Sequence, residues 1–312
     1  MSLSAEQTAQ LLPYPALAQA LRAVLLDDEA QVPPRRIMDM PGGGKFFVMP
    51  AVCAEVAMTK LITFVADNPQ HGRPTIQGDV LVFDPKTGTR RAILHGPTVT
   101  ARRTAAVSLL AAQVLGVRGE GPMLIVGAGV QGHSHLEAFA QGLGVTEFWV
   151  ASRSRASADA LVAHASSLGL RARREDDADA AMADCPMVVS CTSAQVVALR
   201  ATPREGAFVS AVGAFTPQMV EWAPEVCRAL AEQGRLCVDT ADAVHEAGDF
   251  LQAGLDVATM PTLADIVRQR AQWPEPSRRG ATLFKNCGWA GWDLAAALCA
   301  QRSLDGGVGP GR

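Results

Sequence analysis

A single tyrosine and an aromatic share of 5% in 312 residues leave little material for the stacking platforms on which single-stranded nucleic acids are held. Charge does not favour a polyanion either. The 28 Lys and Arg are balanced by 31 Asp and Glu, the net charge is −3, the pI is near 6.1, and there is no strongly basic run. Nucleic acid and anionic membrane surfaces are therefore excluded as expected partners. No uninterrupted apolar run reaches the roughly 18 residues of a membrane span. The opening MSLSAEQTAQLL lacks the basic flank and apolar core of a secretory signal, which points to the cytoplasm.

Cysteine pairs at metal or redox spacing are also missing. The seven cysteines (Cys53, Cys185, Cys191, Cys227, Cys237, Cys287, Cys299) are odd in number and scattered, with no C-x-x-C, and read as reduced thiols. The one close histidine pair, His133 and His135, is spaced by two, which on a helix sends the rings to different faces. With no tetrahedral ligand set visible, no metal is expected.

What is present is apolar material in quantity: 48% hydrophobic residues and a mean hydropathy of +0.12, ample for buried cores in two domains. From Gly121 onward short apolar runs alternate with helix-period segments. The strand-like runs are 123–126, 147–152, 170–174, 187–192, 207–212, 235–240 and 281–285. Alanine-rich helical stretches such as 157–167 and 178–183 fall between them. This predicts an α/β fold, a doubly wound parallel sheet of the Rossmann type, over 116–289. The first 115 residues differ. An amphipathic helix over 14–28, two strands around PPRRIMDMPGGGKFFVMPAV and further strands around the DPKTG turn predict a second, mixed α+β domain over 1–115. A helix over 101–115 links the two, and the C-terminal segment 290–312 returns to the first; the GGVGPGR tail reads as flexible.

The most informative stretch is PMLIVGAGVQG, in which an apolar run feeds into Gly127, Gly129 and Gly132 and then a helix-like segment from Val130. This is a G-x-G-x-x-G with the flanks a dinucleotide site needs. Gly127 makes the turn, Gly129 admits a pyrophosphate, and Gly132 allows close helix packing, with phosphates at the helix N-terminus. The next strand then lacks the acidic residue that binds an adenosine ribose. It reads Ser152, Arg153, Ser154, Arg155, and cations at a helix start call for an anion. NADP(H) is therefore preferred, with NAD(H) as the alternative. Cofactor contacts are expected at Gly127, Ala128, Gly129, Val130, Gln131, Ser152, Arg153, Ser154, Thr192, Ser193 and Val212; a helix cap is the competing role for Thr192 and Ser193.

Two cations sit where the local pattern is apolar or small: Lys60 in AMTKLITF and Arg103 in TVTARRTAAVSLLAA. Separately each reads as a snorkelling or ion-paired structural cation. If they converge, a guanidinium and an ammonium hold a small carboxylate. Asn68, Thr75, Gln77 and His95 are further polar candidates that turn and strand roles explain as well.

The motifs MPA (49–51), TK with DNP (59–60, 67–69), RPTIQG, DPKTG, TARRTAA, GAGVQG, VGAFTP and TLFKNCGWAGWD together resemble the ornithine cyclodeaminase/mu-crystallin family over about residues 30–295. The resemblance implies a Rossmann domain, a substrate and dimerisation domain built from both chain ends, a homodimer, and NAD(P)-linked imine chemistry. It assigns carboxylate binding to Lys60 and Arg103, which are also the catalytic candidates, and to Arg35, with Arg36 as the alternative. Where the family's cyclodeaminases resemble each other in a G-G/A-D-x-P aspartate, this chain has Phe215, which has no proton to exchange. That form is more similar to the cyclic ketimine reductases. The expected reaction is NADPH-dependent reduction of Δ1-pyrroline-2-carboxylate or Δ1-piperideine-2-carboxylate. Ornithine cyclodeamination, an alanine dehydrogenase-like reaction and a non-catalytic NADP-bound binding protein are the rivals.

Overall fold

In a computed structural model, which describes residues 2–193, 196–271 and 280–307, the chain divides into two compact units. The first comprises Met1–Ala106 and Trp289–Arg312, the second Val107–Gly288. The division falls inside a helix rather than at the 115/116 boundary read from the sequence. The GGVGPGR tail lies outside the described residues beyond 307.

The first unit opens with α1 (Ala5–Gln10), whose Ser4 and Gln7 form a reciprocal capping box, and α2 (Tyr14–Leu26). Its sheet runs β1 (Arg36–Asp39), β2 (Lys45–Val52), β3 (Ala57–Phe64), β4 (Ile76–Phe83) and β5 (Arg90–His95), antiparallel and in sequence order, so β3 is central. Short turns, such as the one in which Asp84 accepts from the Lys86 and Thr87 N–H groups, explain that meander. On β3, Met58, Lys60 and Ile62 alternate inward.

α3 (Gly96–Val114) follows β5 directly and carries the chain into the second unit. It begins ahead of the 101 start expected from the sequence because Pro97, lacking an N–H, is at home in a first helical turn. The second unit then alternates β6 (Met123–Val126), α4 (Val130–Leu143), β7 (Glu147–Ala151), α5 (Arg155–Ser167), β8 (Arg171–Glu175), α6 (Ala178–Ala181), β9 (Met187–Ser190), β10 (Phe208–Ala211), α7 (Pro224–Gln233), β11 (Arg235–Val238), α8 (Gly248–Gln252), α9 (Leu263–Val267) and β12 (Thr282–Lys285). The seven strands are parallel in the order β11-β12-β10-β9-β6-β7-β8. All seven strands read from the sequence are present, and the fold is the expected α/β one. Several end earlier than predicted: Ser152, Cys191, Thr192, Val212, Asp239 and Thr240 lie in loops past the strand ends. Strand order reverses between β6 and β9, the place where such sheets bind ligands outside their carboxyl ends.

The chain returns to the first unit as α10 (Ala290–Asp305), whose first eleven residues are all buried. A helix that is apolar or small on every side needs cover all round. Within this unit α10 has it, lying against α2 and against β2, β3 and β4. Leu17 and Leu21 of α2 are fully buried, so trimming either to Ala costs about 2–5 kcal/mol. Among the described residues no helix is long and apolar enough to cross a membrane, and no group of three or more His, Cys, Asp or Glu is placed to hold a metal ion.

Candidate functional site

In the second unit the glycine motif forms a strand-turn-helix. Gly127 has φ +115°, and a Cβ there would lie 2.6 Å from the Cys191 carbonyl oxygen; a Cβ on Gly132 would lie 2.3 Å from that of Gly127. The protein's own backbone thus demands glycine at both positions. Gly129 differs: its φ is −87° and a Cβ would meet nothing within 4 Å. The space over Gly129 suits the close approach of a pyrophosphate. Gly129 caps α4 with no side-chain partner, so the first-turn N–H groups at Val130, Gln131 and Gly132 carry the helix's positive end. Ala128 is buried beneath the turn, Val130 is exposed, and the Gln131 Oε1 is buried without a hydrogen-bond partner. A dinucleotide fits these residues.

At the end of β7 stand Ser152, Arg153 and Ser154, with no carboxylate among them. Ser154 caps α5 by accepting from the Ser157 N–H, and Arg155 opens the helix. The exposed Arg153 donates through Nη2 to Ser193 Oγ at 3.4 Å, which brings the β7 and β9 loops together. Thr192 and Ser193 lie in the loop after β9, where the Thr192 N–H is held by a carboxylate, Glu221. Val212 extends β10 by donating its N–H to the Ser190 carbonyl.

Glu221 belongs to a buried network absent from the sequence reading. Its Oε1 accepts from the Thr192 N–H at 2.7 Å, and its Oε2 from the Gly213 N–H at 2.7 Å and the Ser190 hydroxyl at 2.9 Å. Asp249 Oδ1 accepts from the Glu221 and Trp222 N–H groups, and Lys285 Nζ donates to Asp249 Oδ2 at 2.7 Å. Burial pushes the Glu221 carboxyl above its ordinary range against the pull of Lys285. Burial works against the Lys285 ammonium, yet the Asp249 and Glu221 charges hold it above its usual value. His135, buried, bonds through Nδ1 to the Gln131 carbonyl and through Nε2 to Ser108 Oγ, and burial lowers its pKa to about 4. It is therefore a neutral structural imidazole at ordinary pH.

In the first unit Lys60, 1% exposed on the central strand, donates to Asp293 Oδ1 at 3.0 Å. Asp293 sits in the first turn of α10 and is fully buried. Arg103, from α3, brings its Nε to 3.4 Å from the same oxygen. The geometry there is an ion pair and not a hydrogen bond: Arg103 Nε and Asp293 Oδ2 are both buried without hydrogen-bond partners. Burial lowers the Lys60 pKa to about 8; the charges of Arg103 and Arg35 add to the fall and Asp293 opposes it. Of the two adjacent arginines, Arg35 is half-buried and its charge acts on Lys60, whereas Arg36 is exposed on the edge strand β1. The neighbouring Arg102 is accounted for otherwise, stacked 3.9 Å over Tyr14 and donating to the Leu12 carbonyl.

The lesser candidates find structural roles. Asn68 donates to the Pro74 carbonyl, His95 pairs with Thr98 and donates its N–H to Thr8, Thr75 accepts from the Val65 N–H through its carbonyl, and Gln77 is exposed on β4. Asp293 escaped the sequence reading because an acid in a first helical turn is unremarked, although TLFKNCGWAGWD placed it in an otherwise apolar segment.

A glycine cradle for a dinucleotide and a buried cation cluster are now both located. The ornithine cyclodeaminase/mu-crystallin family model matches residues 4–306. This chain belongs to that family. It is 36% identical to Delta(1)-pyrroline-2-carboxylate reductase 2 of Burkholderia ambifaria over 309 residues, covering 97% of this chain and 96% of the relative. It is also 36% identical to the Delta(1)-pyrroline-2-carboxylate/Delta(1)-piperideine-2-carboxylate reductase of Azospirillum brasilense, covering 96% and 94%. Among solved structures it resembles the Thermococcus litoralis Delta(1)-pyrroline-2-carboxylate reductase in complex with NADH and L-proline, with a TM-score of 0.88, 26% identity and full coverage of both chains. These relatives carry the resemblance read from the motifs down to the ketimine-reductase branch.

Proposed function

We propose that this chain reduces a small cyclic imino acid, Δ1-pyrroline-2-carboxylate or Δ1-piperideine-2-carboxylate, to proline or pipecolate, with NADPH as the preferred reductant. The observation that carries the reading is the Lys60–Arg103–Asp293 cluster: two buried cations share one carboxylate oxygen, the charge of Arg35 acts on Lys60, and the buried Arg103 Nε has no hydrogen-bond partner. A buried unpaired donor costs about 1–3 kcal/mol, a cost that a bound carboxylate removes. Near-full-length similarity to reductases of this substrate class supports the same substrate.

The nicotinamide, when bound, supplies hydride for the imine carbon. The residues of this chain do the rest. Arg103 and Arg35 grip the carboxylate and orient the ring. Lys60, with a pKa near 8 and so largely charged at neutral pH, passes a proton from Nζ to the imine nitrogen, making the better electrophile. Asp293 holds that ammonium in place and keeps it charged. Carbon gains hydride, nitrogen gains the proton, and solvent returns a proton to Lys60. Gly129 and the α4 N-terminus hold the pyrophosphate, with Ala128, Val130 and Gln131 lining the turn. Ser152, Arg153 and Ser154 receive a 2′-phosphate, and Thr192, Ser193 and Val212 line the cofactor's path along the sheet edge. Phe215, 40% exposed, offers no acid or base, which favours reduction over cyclodeamination.

The first unit serves as substrate and dimerisation domain, and the second binds the cofactor. Ile37 and Met38, 48% and 45% exposed on the edge strand β1, favour a homodimer. Seven free cysteines favour the cytoplasm. The test is a panel following NADPH and NADH oxidation with both cyclic imines and with pyruvate plus ammonium, and NAD(P)+ reduction or proline formation with ornithine. Turnover with a cyclic imine is expected. Background rates with both imines alongside turnover of pyruvate or ornithine would overturn the reading.

A further inference from the structure

The buried acid Glu221 takes no part in the chemistry above, yet its surroundings are specialised. Its carboxylate ties the loop after β9 to the loop after β10 through the Thr192 and Gly213 N–H groups, each at 2.7 Å. Both loops lie at the carboxyl edge of the sheet, and β9 is one of the two strands at the order reversal. The third donor has a fixed direction. Trp222 Nε1 donates to Ser190 Oγ at 3.0 Å, so the Ser190 proton is free to point at Glu221 Oε2. The two backbone N–H donors and the Lys285 charge oppose the rise that burial imposes on Glu221, and with the Ser190 hydroxyl they favour the acceptor-only carboxylate.

The scaffold behind Glu221 is equally committed. Asp249 Oδ1 takes the Glu221 N–H at 2.6 Å, the Glu221 carbonyl accepts from the Ala198 and Leu199 N–H groups, and Lys285 anchors Asp249. Gly213 completes the fit: a Cβ there would lie 2.2 Å from the Thr192 carbonyl oxygen and 2.4 Å from Glu221 Oε1. A core needing only stability would fill this space with apolar groups, since buried ion networks are seldom worth their desolvation.

We propose that Glu221 is a positioning residue for the cofactor: by clamping Thr192 and Gly213 it fixes the two loops that seat the nicotinamide half of the dinucleotide. The proposal rests on the dinucleotide reading of the second unit. The clamp acts on the nicotinamide half because the adenosine and pyrophosphate ends are served by the β7 loop and the β6–α4 turn, which Glu221 does not touch.

Glu221→Gln tests it. Glutamine matches the size but offers one acceptor oxygen, so its NH2 must face one of the two backbone donors. Affinities of the full-length protein for NADPH and for 2′-phospho-ADP-ribose, which lacks the nicotinamide, are measured by titration calorimetry, with amide hydrogen exchange read across Thr192 and Gly213. The expected result is about tenfold weaker NADPH binding, unchanged binding of the fragment, and faster exchange at both amides. Equal weakening of both ligands, or of neither, overturns the clamp. If wild type binds neither of these but binds NADH, the same comparison is made with NADH and ADP-ribose; if it binds none of the four, the dinucleotide reading itself fails, and the clamp with it. Should Glu221→Gln not fold, Ser190→Ala removes one donor and leaves the carboxylate. A rise of about threefold in the NADPH-to-fragment Kd ratio then supports the proposal, and a wild-type ratio overturns it.

Discussion

Replacing Asp293 by Asn removes one charge from the substrate cluster and changes almost nothing in shape. Its Oδ1 lies 3.0 Å from Lys60 Nζ. At an effective dielectric of about 20, two unit charges at that distance attract by about 5 kcal/mol. At about 1.4 kcal/mol per unit that equals roughly four pKa units; allowing half for relaxation of the cluster leaves about two. Lys60 starts near 8, already lowered by burial and by Arg103 and Arg35. Without the acid it falls further, by about that amount. The direction matters for activity. The protonated form is the one that gives up a proton, so activity is full below the Lys60 pKa and is lost as pH rises through it. At pH about 7.5 the protonated fraction drops from about three-quarters to about 3%, a loss of roughly 25-fold in kcat/KM. The assay is kcat/KM for the cyclic imine against pH, at saturating NADPH, for wild type and Asp293→Asn. The alkaline limb should move down by about two units, with activity largely restored near pH 5.5. A limb that stays in place in Asp293→Asn, or that survives unchanged in Lys60→Met, assigns the titration to the substrate and refutes the role given to Lys60.

Four further outcomes are expected. Arg103→Met removes a charge-assisted grip on the carboxylate and should lower kcat/KM about a hundredfold or more, while NADPH affinity by fluorescence titration stays within about twofold. Gly129→Ala should leave Tm within about 2 °C of wild type but weaken NADPH binding about tenfold, because only a ligand contests that Cβ. Gly132→Ala should lower Tm substantially, since its Cβ meets the Gly127 carbonyl at 2.3 Å. Arg153→Ala should weaken NADPH about tenfold and leave NADH unchanged when the two dissociation constants are compared.

The second unit was legible in the sequence because each βα repeat announces itself locally. Even β8, RARRE, reads as a strand: at the sheet's edge its arginines are met by surface partners, with Arg173 3.7 Å over Trp149 and Arg174 paired to Asp159. The strand ends were overread for a physical reason. Val212 and Cys191 prolong the ladder by one hydrogen bond, to Ser190 and Val126, before the chain leaves the sheet, so apolar composition runs past the regular strand into the ligand-facing loops. The start of α3 was misread in the other direction, since proline in a first turn looks like a break unless the turn is already known. The division of the chain inside α3 had no local mark at all: Ala106 and Val107 are consecutive residues of one buried helix.

The site shows a sharper asymmetry, between its cations and its acids. Lys60 stands out because it interrupts an apolar strand, and a buried ammonium must have a partner; Lys285, the last residue of β12, is equally buried but carries no such mark. Nothing local says which of the 31 acidic residues that partner is. Asp293 is 233 positions from Lys60 and sits in a first helical turn, where an acid is ordinary; Asp249 occupies the same kind of position in α8, 36 residues from Lys285. Glu221 lies in a loop, where an acid is more ordinary still. Yet these acids set the local electrostatics and geometry: Asp293 opposes the fall of the Lys60 pKa, and Glu221 holds the loops after β9 and β10. A cation in an apolar strand therefore states that a carboxylate must arrive from elsewhere in the chain, and only the packing of α10 and of α8 says which one it is.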